Sequence, residues 1–103
     1  MKLQNPFPPH KRAVFYDMRF TCGKCGSNQQ TELHHIRGRV SSSVYNGIVL
    51  CKRCHAQANH SFEEEREYLH KTKHYIDLQI RAGKYVPDEE DEKFLAENFA
   101  FYY

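Results

Sequence analysis

Three kinds of segment are missing from this chain of 103 residues. No apolar run approaches the roughly 20 residues that cross a bilayer, so we expect no membrane partner. The first residues hold no apolar core of a secretory signal, so we expect no signal and a reducing, cytoplasmic compartment. No segment repeats another, and the length predicts a single small domain over residues 1–103.

Acidic residues are scarce in the first 60 positions, which hold nine lysines and arginines against Asp17 and Glu32. Residues 61–103 reverse the balance, with eleven acids against six basic residues. Because a basic surface attracts polyanions, the pattern indicates a polyanionic partner at residues 1–60, unless the segregation is accidental. The acidic half is in turn a candidate surface for a protein partner.

All four cysteines lie in the basic half, in two Cys-x-x-Cys pairs: Cys22 with Cys25, and Cys51 with Cys54. Two such pairs in a reducing compartment favour a metal over disulfides. Four thiolates bind zinc tetrahedrally and leave no coordination position open, so we predict a structural Zn²⁺. The 25 residues between the pairs exceed the ~15–20 of a plain zinc ribbon and leave room for an inserted hairpin.

Regular structure is predicted around these pairs. Apolar periodicity favours a short helix over residues 10–18, and two strands are expected over 31–36 and 48–50. A further helix is predicted to begin near Cys54 and to continue to residue 59 or 60. Residues 1–9 contain three prolines and are predicted to form an extended arm.

Two C-terminal helices are predicted after residue 60. Ser61 and Glu64 form a capping-box pattern at the start of the first helix, and Gly83 is a reasonable end. Its apolar stripe is expected to contain Phe62, Leu69, Ile76 and Ile80. The acidic run 88–92 is predicted to be the solvated first turn of the second helix. Four apolar residues are expected to pack that helix back on the domain: Phe94, Leu95, Phe99 and Tyr102.

The residues between the cysteine pairs resemble a known family. Three segments carry the resemblance: Glu32-Leu33-His34-His35-Ile36, Asn46 placed five residues before Cys51, and Leu50-Cys51-x-x-Cys54-His55. They are similar to the HNH endonuclease family, also called the His-Me finger or ββα-metal fold. The resemblance covers about residues 10–60. It implies a small α+β fold in which a zinc-stapled ββα-metal core (10–60) follows the arm (1–9) and is flanked by the helices of 61–103.

The resemblance also implies roles for individual residues. His35 would be the general base that activates water, and Asn46 would hydrogen-bond across the loop and fix the position of His35. His34 and His55 would hold a catalytic divalent metal such as Mg²⁺, Mn²⁺ or Ni²⁺.

A third metal ligand often lies four residues after the second histidine in this family, and Asn59 occupies that position here. His60 is one residue farther and is the alternative. Because four residues of a helix advance about 40° and five about 140°, Asn59 shares the helix face of His55, and we favour Asn59.

The resemblance implies a metal-dependent endonuclease that hydrolyses DNA phosphodiester bonds, of a kind often found in phages or mobile elements. Its setting would be the cytoplasm of a bacterium or of a phage-infected host cell. Four basic residues near the motif are candidates for phosphate contacts: Arg37, Arg39, Lys52 and Arg53. Two alternatives remain: a non-catalytic zinc-binding module that docks nucleic acid or protein, and a structure-specific nuclease for branched DNA or RNA.

Overall fold

The elements of the fold are taken from a computed structural model that describes residues 7–16, 21–38 and 40–99. Within these residues the fold is a small α+β arrangement of a two-stranded antiparallel sheet and four α-helices. In chain order the elements are α1 (Pro9–Tyr16), β1 (Thr31–His35), a 3-10 turn (Val44–Asn46), β2 (Gly47–Cys51), α2 (Lys52–Ala56), α3 (Phe62–Arg81) and α4 (Glu89–Asn98). In this part of the chain, no helix is long and apolar enough to cross a membrane.

The hairpin of β1 and β2 confirms both predicted strands to within one residue at each end. Its register pairs Thr31 with Cys51 at one end and His35 with Gly47 at the other. Successive side chains of a strand point to opposite faces of the sheet, so His34 and His35 leave β1 on different sides. The hairpin therefore carries a cysteine at its open end and the two histidines at its loop end.

Helix α2 begins near Cys54 as predicted, two residues before it, but the predicted end at residue 59 or 60 was wrong. It begins directly after Cys51, whose Sγ accepts a hydrogen bond from the Cys54 amide at 3.4 Å, and it ends at Ala56. His60 then has a φ of +54°, a left-handed conformation through which an α-helix does not continue. The helical-face argument that favoured Asn59 over His60 therefore does not apply.

Helix α3 begins directly after Ser61, its N-cap as predicted, whose Oγ accepts a hydrogen bond from the Glu64 amide at 3.2 Å. It ends at Arg81 and is followed by Gly83 at φ +76°, which confirms the predicted end. The predicted apolar stripe was wrong for Phe62, which is 69 % exposed at the first helical position. The buried face consists of Tyr68, Leu69, Thr72 and Ile76.

Helix α4 begins in the acidic run, but the prediction of a solvated run was wrong for Asp91, which is fully buried. Its carboxylate accepts hydrogen bonds from Ser43 Oγ at 2.7 Å, from the Val44 amide at 3.0 Å and from Tyr85 Oη. Lys11 of α1, also buried, pairs with the same carboxylate at 3.4 Å. This polar cluster ties α1 and α4 to the loop that precedes β2.

The hydrophobic core lies between the hairpin, α3 and α4. Phe94 and Phe99 are buried in it as predicted, and Leu95 packs against it. Tyr102 lies outside the described residues, as do the last two positions of the helix predicted over 10–18. That helix begins one residue earlier than predicted, at Pro9.

Candidate metal centres

The four cysteines come together at the open end of the hairpin. Their Sγ atoms all lie within 4.8 Å of one another, and those of Cys25 and Cys51 are 3.7 Å apart. A zinc tetrahedron with bonds of ~2.3 Å has sulfur–sulfur edges of about 3.8 Å, so the spacing suits the ion. The cluster can therefore hold a metal such as zinc, as the Cys-x-x-Cys spacing predicted.

Backbone amides favour the thiolate form of Cys22 and Cys51, whereas burial raises the pKa of Cys54 to about 12. The amides of Lys24 and Cys25 both lie 3.4 Å from the Cys22 Sγ and donate to it. Burial raises the pKa of the Cys22 thiol, but hydrogen bonds from the backbones of Cys25, Cys51 and Lys24 together outweigh burial and lower it to about 6. Cys22 is then largely a thiolate at neutral pH, which is the form that binds zinc.

Three histidines meet at a second location, beside a pocket of about 200 Å³. The ring of His34, from β1, lies with its centroid 4.9 Å from that of His55 in α2 and 5.1 Å from that of His60 before α3. The structure thus brings together residues from three separate segments. The pocket is lined by Leu33, His34, His35, Gly38, His55, Ala58 and His60.

The His34 ring has the properties of a metal ligand. Its Nε2 atom is buried and has no hydrogen-bond partner in the structure. Burial, reinforced by the neighbouring His55 and His60, lowers the pKa of His34 to about 4. The ring is therefore neutral at physiological pH, and neutral imidazole is the form that coordinates metals.

The other two rings are oriented by hydrogen bonds at Nδ1. His55 Nδ1 lies 2.8 Å from Glu32 Oε1, and His60 Nδ1 lies 2.9 Å from the carbonyl oxygen of Ile36. A carbonyl or carboxylate oxygen can only accept, so each Nδ1 carries a proton, and Nε2 is the atom with the free lone pair in the neutral form of each ring. Such partners fix the tautomer and orientation of metal-binding histidines.

Sequence reasoning did not assign a role to Glu32. The signal was nevertheless present, because residues two apart on a strand share a face, and Glu32 precedes His34 by two on β1. The sequence did not indicate that His55 would lie within hydrogen-bonding distance of that carboxylate.

Asn59, the favoured third ligand, does not line the pocket. Its side-chain Oδ1 accepts a hydrogen bond from the Ser61 amide at 2.8 Å, and its own amide donates to the Glu64 carboxylate. The same carboxylate accepts the His60 amide at 3.0 Å, which completes the turn before α3. The structure therefore places the alternative residue, His60, beside the other two histidines.

The histidines are less tightly assembled than the cysteines. Among the described residues, only the cysteines form a group of three or more candidate ligand atoms that all lie within 4.8 Å of one another. A single ion held by His34, His55 and His60 would therefore require rotation of these side chains. His55 and His60 have room for this, since their side chains are 37 % and 45 % exposed.

His35 and Asn46, the expected base and its support, lie at the two ends of the loop that joins β1 to β2. His35 lines the histidine pocket and stacks on Phe7. Asn46 is fully buried, and its Oδ1 accepts the Arg37 amide at 2.9 Å. Its Nδ2 donates to the carbonyl oxygens of Gly38 and Ser41 at 3.0 and 2.9 Å. Asn46 thus hydrogen-bonds across the loop that follows His35.

The basic residues proposed for phosphate contacts are distributed over two regions. Arg37 donates to Asn98 Oδ1, and its Nε lies 3.6 Å from the Glu65 carboxylate. Lys52 and Arg53 are exposed and line a different pocket, of about 330 Å³, beside Cys51. Arg39 lies outside the described residues.

No protein-family model, no curated protein and no solved structure matches this chain. Function is therefore inferred from the chemistry of the two clusters. One is a four-thiolate set suited to a structural ion. The other brings three imidazoles suited to an ion together beside a pocket that a fourth histidine, His35, also lines.

Proposed function

We propose that this chain is a small metal-dependent endonuclease of the HNH type, which hydrolyses DNA phosphodiester bonds on a ββα-metal core stapled by a four-cysteine zinc. The observation that supports this most is the buried, unpartnered Nε2 of His34 beside His55 and His60. An unpaired buried nitrogen costs free energy unless a partner satisfies it, and a metal ion is such a partner. The order of β1, β2 and α2 along the chain is compatible with the ββα core.

In this proposal His34, His55 and His60 hold the catalytic metal, with His60 in place of the expected Asn59. Three imidazole nitrogens suit Ni²⁺ or Zn²⁺ better than Mg²⁺ or Mn²⁺, which prefer oxygen ligands. When bound, the ion would neutralise charge on the scissile phosphate and on the leaving oxygen. The lowered pKa of His34 keeps its lone pair available for this role at neutral pH.

His35 is the proposed general base. A neutral imidazole accepts a proton from water at physiological pH, and His35 lines the same pocket as the three ligands. Asn46 holds the loop after His35 through three hydrogen bonds and so limits the movement of the base. Lys52 and Arg53, with Arg37 and Arg39, would contact backbone phosphates without reading base sequence.

The test is nicking of supercoiled plasmid DNA with Ni²⁺, Mn²⁺ or Mg²⁺ added to protein that carries one zinc per chain. We expect cleavage by the wild type, most rapid with Ni²⁺, and a loss of about 10²-fold or more in His35→Ala. His70→Ala is the matched control, because His70 is an exposed histidine on α3 that does not line the histidine pocket.

Full activity of His35→Ala would contradict the assignment of the base. Fastest cleavage with Mg²⁺ would contradict the three-imidazole metal site. The zinc-loaded wild type could bind DNA in a gel-shift assay and yet cleave no linear, branched or single-stranded substrate. That result would favour the non-catalytic zinc-binding module. Cleavage confined to branched DNA or RNA would identify the structure-specific nuclease.

A further inference from the structure

An aromatic ring from the segment before α1 covers the proposed base. The ring of Phe7 stacks on the imidazole of His35, with centroids 4.1 Å apart and planes inclined by 20°. Both side chains are buried, at 7 % and 9 % exposure. His35 is also one of the residues that line the histidine pocket, the space where substrate would bind in the proposed function.

The sheet leaves a slot for this ring at Gly47. Gly47 is the cross-strand partner of His35, and its φ of −116° is one that any residue can adopt. A Cβ atom at this position would lie 3.0 Å from the Cζ atoms of both Phe7 and Phe15. The missing side chain, rather than an unusual backbone conformation, is therefore what admits the two rings beside His35.

We infer that Phe7 is a positioning residue for the nuclease reaction: stacked on His35 and seated over Gly47, it holds the imidazole in the orientation that faces the pocket. This inference rests on the proposed function. The second side-chain torsion of histidine has broad energy wells, so packing on the ring face restricts its angle. A misplacement of about 1 Å in a reacting group can cost ~10²-fold in rate, which gives such packing a catalytic consequence.

A purely structural role for Phe7 has a different signature. Phe15 belongs to the same aromatic group, because it packs on Phe7 with centroids 6.3 Å apart and on Tyr75 at 6.4 Å. Replacing Phe15 by leucine removes a comparable buried ring without removing the Phe7 ring that stacks on His35. Phe15→Leu is therefore the matched control for the loss of apolar packing in general.

The experiment compares Phe7→Leu, Gly47→Ala and Phe15→Leu in zinc-loaded protein. In the first two, we expect kcat for plasmid nicking to fall about 10- to 100-fold while KM changes by less than about twofold. The second readout is independent of activity: the His35 ring protons lie over the Phe7 face, and their upfield ring-current shift in the NMR spectrum should diminish. Phe15→Leu should keep both kcat and the ring-current shift near the wild-type values.

Two results would overturn the inference. One is a kcat of Phe7→Leu within about twofold of wild type although the ring-current shift is lost. The other is an equal loss of kcat in Phe7→Leu and Phe15→Leu. If Phe7→Leu does not bind one zinc per chain, Gly47→Ala decides by the same criteria. Full activity of His35→Ala is a separate outcome, because it refutes the proposed base itself and with it any role of Phe7 in positioning it.

Discussion

The hydrogen bond between Glu32 and His55 allows the proposed catalytic metal site to be tested without cleavage of DNA. Glu32 Oε1 lies 2.8 Å from His55 Nδ1, and this contact directs the Nε2 lone pair of His55 away from the carboxylate. In Glu32→Ala the ring loses this partner and can adopt either tautomer and a wider range of orientations. We therefore expect weaker metal binding at the histidines, with no change at the cysteines.

The magnitude follows from the surroundings of the pair. Loss of a hydrogen-bond partner behind a metal-binding histidine typically costs 10- to 100-fold in metal affinity. The side chains of Glu32 and His55 are 51 % and 37 % exposed, so water can replace part of the lost interaction. We therefore expect about a tenfold loss, which corresponds to about 1.4 kcal/mol. Glu32→Gln should lose less, because its amide oxygen still accepts the Nδ1 proton.

The assay is calorimetric titration of Ni²⁺ into protein that carries one zinc per chain, with zinc content measured again after the titration. Glu67→Ala is the control, because Glu67 is a similarly exposed carboxylate on α3 that pairs with Lys71 at 3.2 Å. Unchanged Ni²⁺ affinity in Glu32→Ala, within about twofold, would refute the reasoning. Equal weakening in Glu67→Ala would show a general charge effect instead.

Three further outcomes are expected. Removal of zinc by a chelator should unfold most of the domain, because the ion would join the two Cys-x-x-Cys pairs at the open end of the hairpin. The unfolding would be seen as loss of far-UV circular dichroism. Lys11→Met should lower the free energy of unfolding, measured in urea, by about 3 kcal/mol. This is the lower end of the range for a broken buried ion pair, because Asp91 keeps its other hydrogen-bond donors. A change below about 0.5 kcal/mol would contradict this prediction. Burial, followed by hydrogen bonds to carboxylates, raises the pKa of Tyr45 and Tyr85. In the unfolded chain both phenols lose their protons near pH ~10, whereas in the folded chain they lose them only at higher pH. The free energy of unfolding should therefore fall as pH rises past ~10. The absorbance of the two phenolates at 295 nm should appear only when the protein unfolds.

Local patterns explain which parts of this structure the sequence could predict. The Cys-x-x-Cys spacing fixes two tight turns, so the cysteine cluster followed from the sequence. The β-branched run before Cys51 and the cap at Ser61 are likewise local signals, and the strand and the helix start are where they were expected. Each of these features depends on residues within a few positions of one another.

The remaining features depend on contacts that local patterns do not encode. Lys11 and Asp91 are 80 positions apart, so nothing near the acidic run indicated that one of its members would be buried. The third member of the histidine group depends on a backbone reversal. Glu64 was expected to complete a capping box, but its carboxylate accepts the amides of Asn59 and His60, and His60 takes a left-handed φ. A prediction based on an uninterrupted helix therefore selects Asn59 instead of His60, the residue whose ring lies beside that of His34.

The two candidate metal centres are mechanically linked through the short helix α2. Cys54 and His55 are adjacent residues of this five-residue helix, and its N-cap is Cys51. A helix of one and a half turns is not stable alone in water, so the cysteine cluster must hold it in place. His34 lies on the hairpin and His55 on α2, and the cysteine cluster joins these two elements. Loss of zinc should therefore release His55 from His34, which makes metal affinity at the histidines conditional on occupancy of the cysteines.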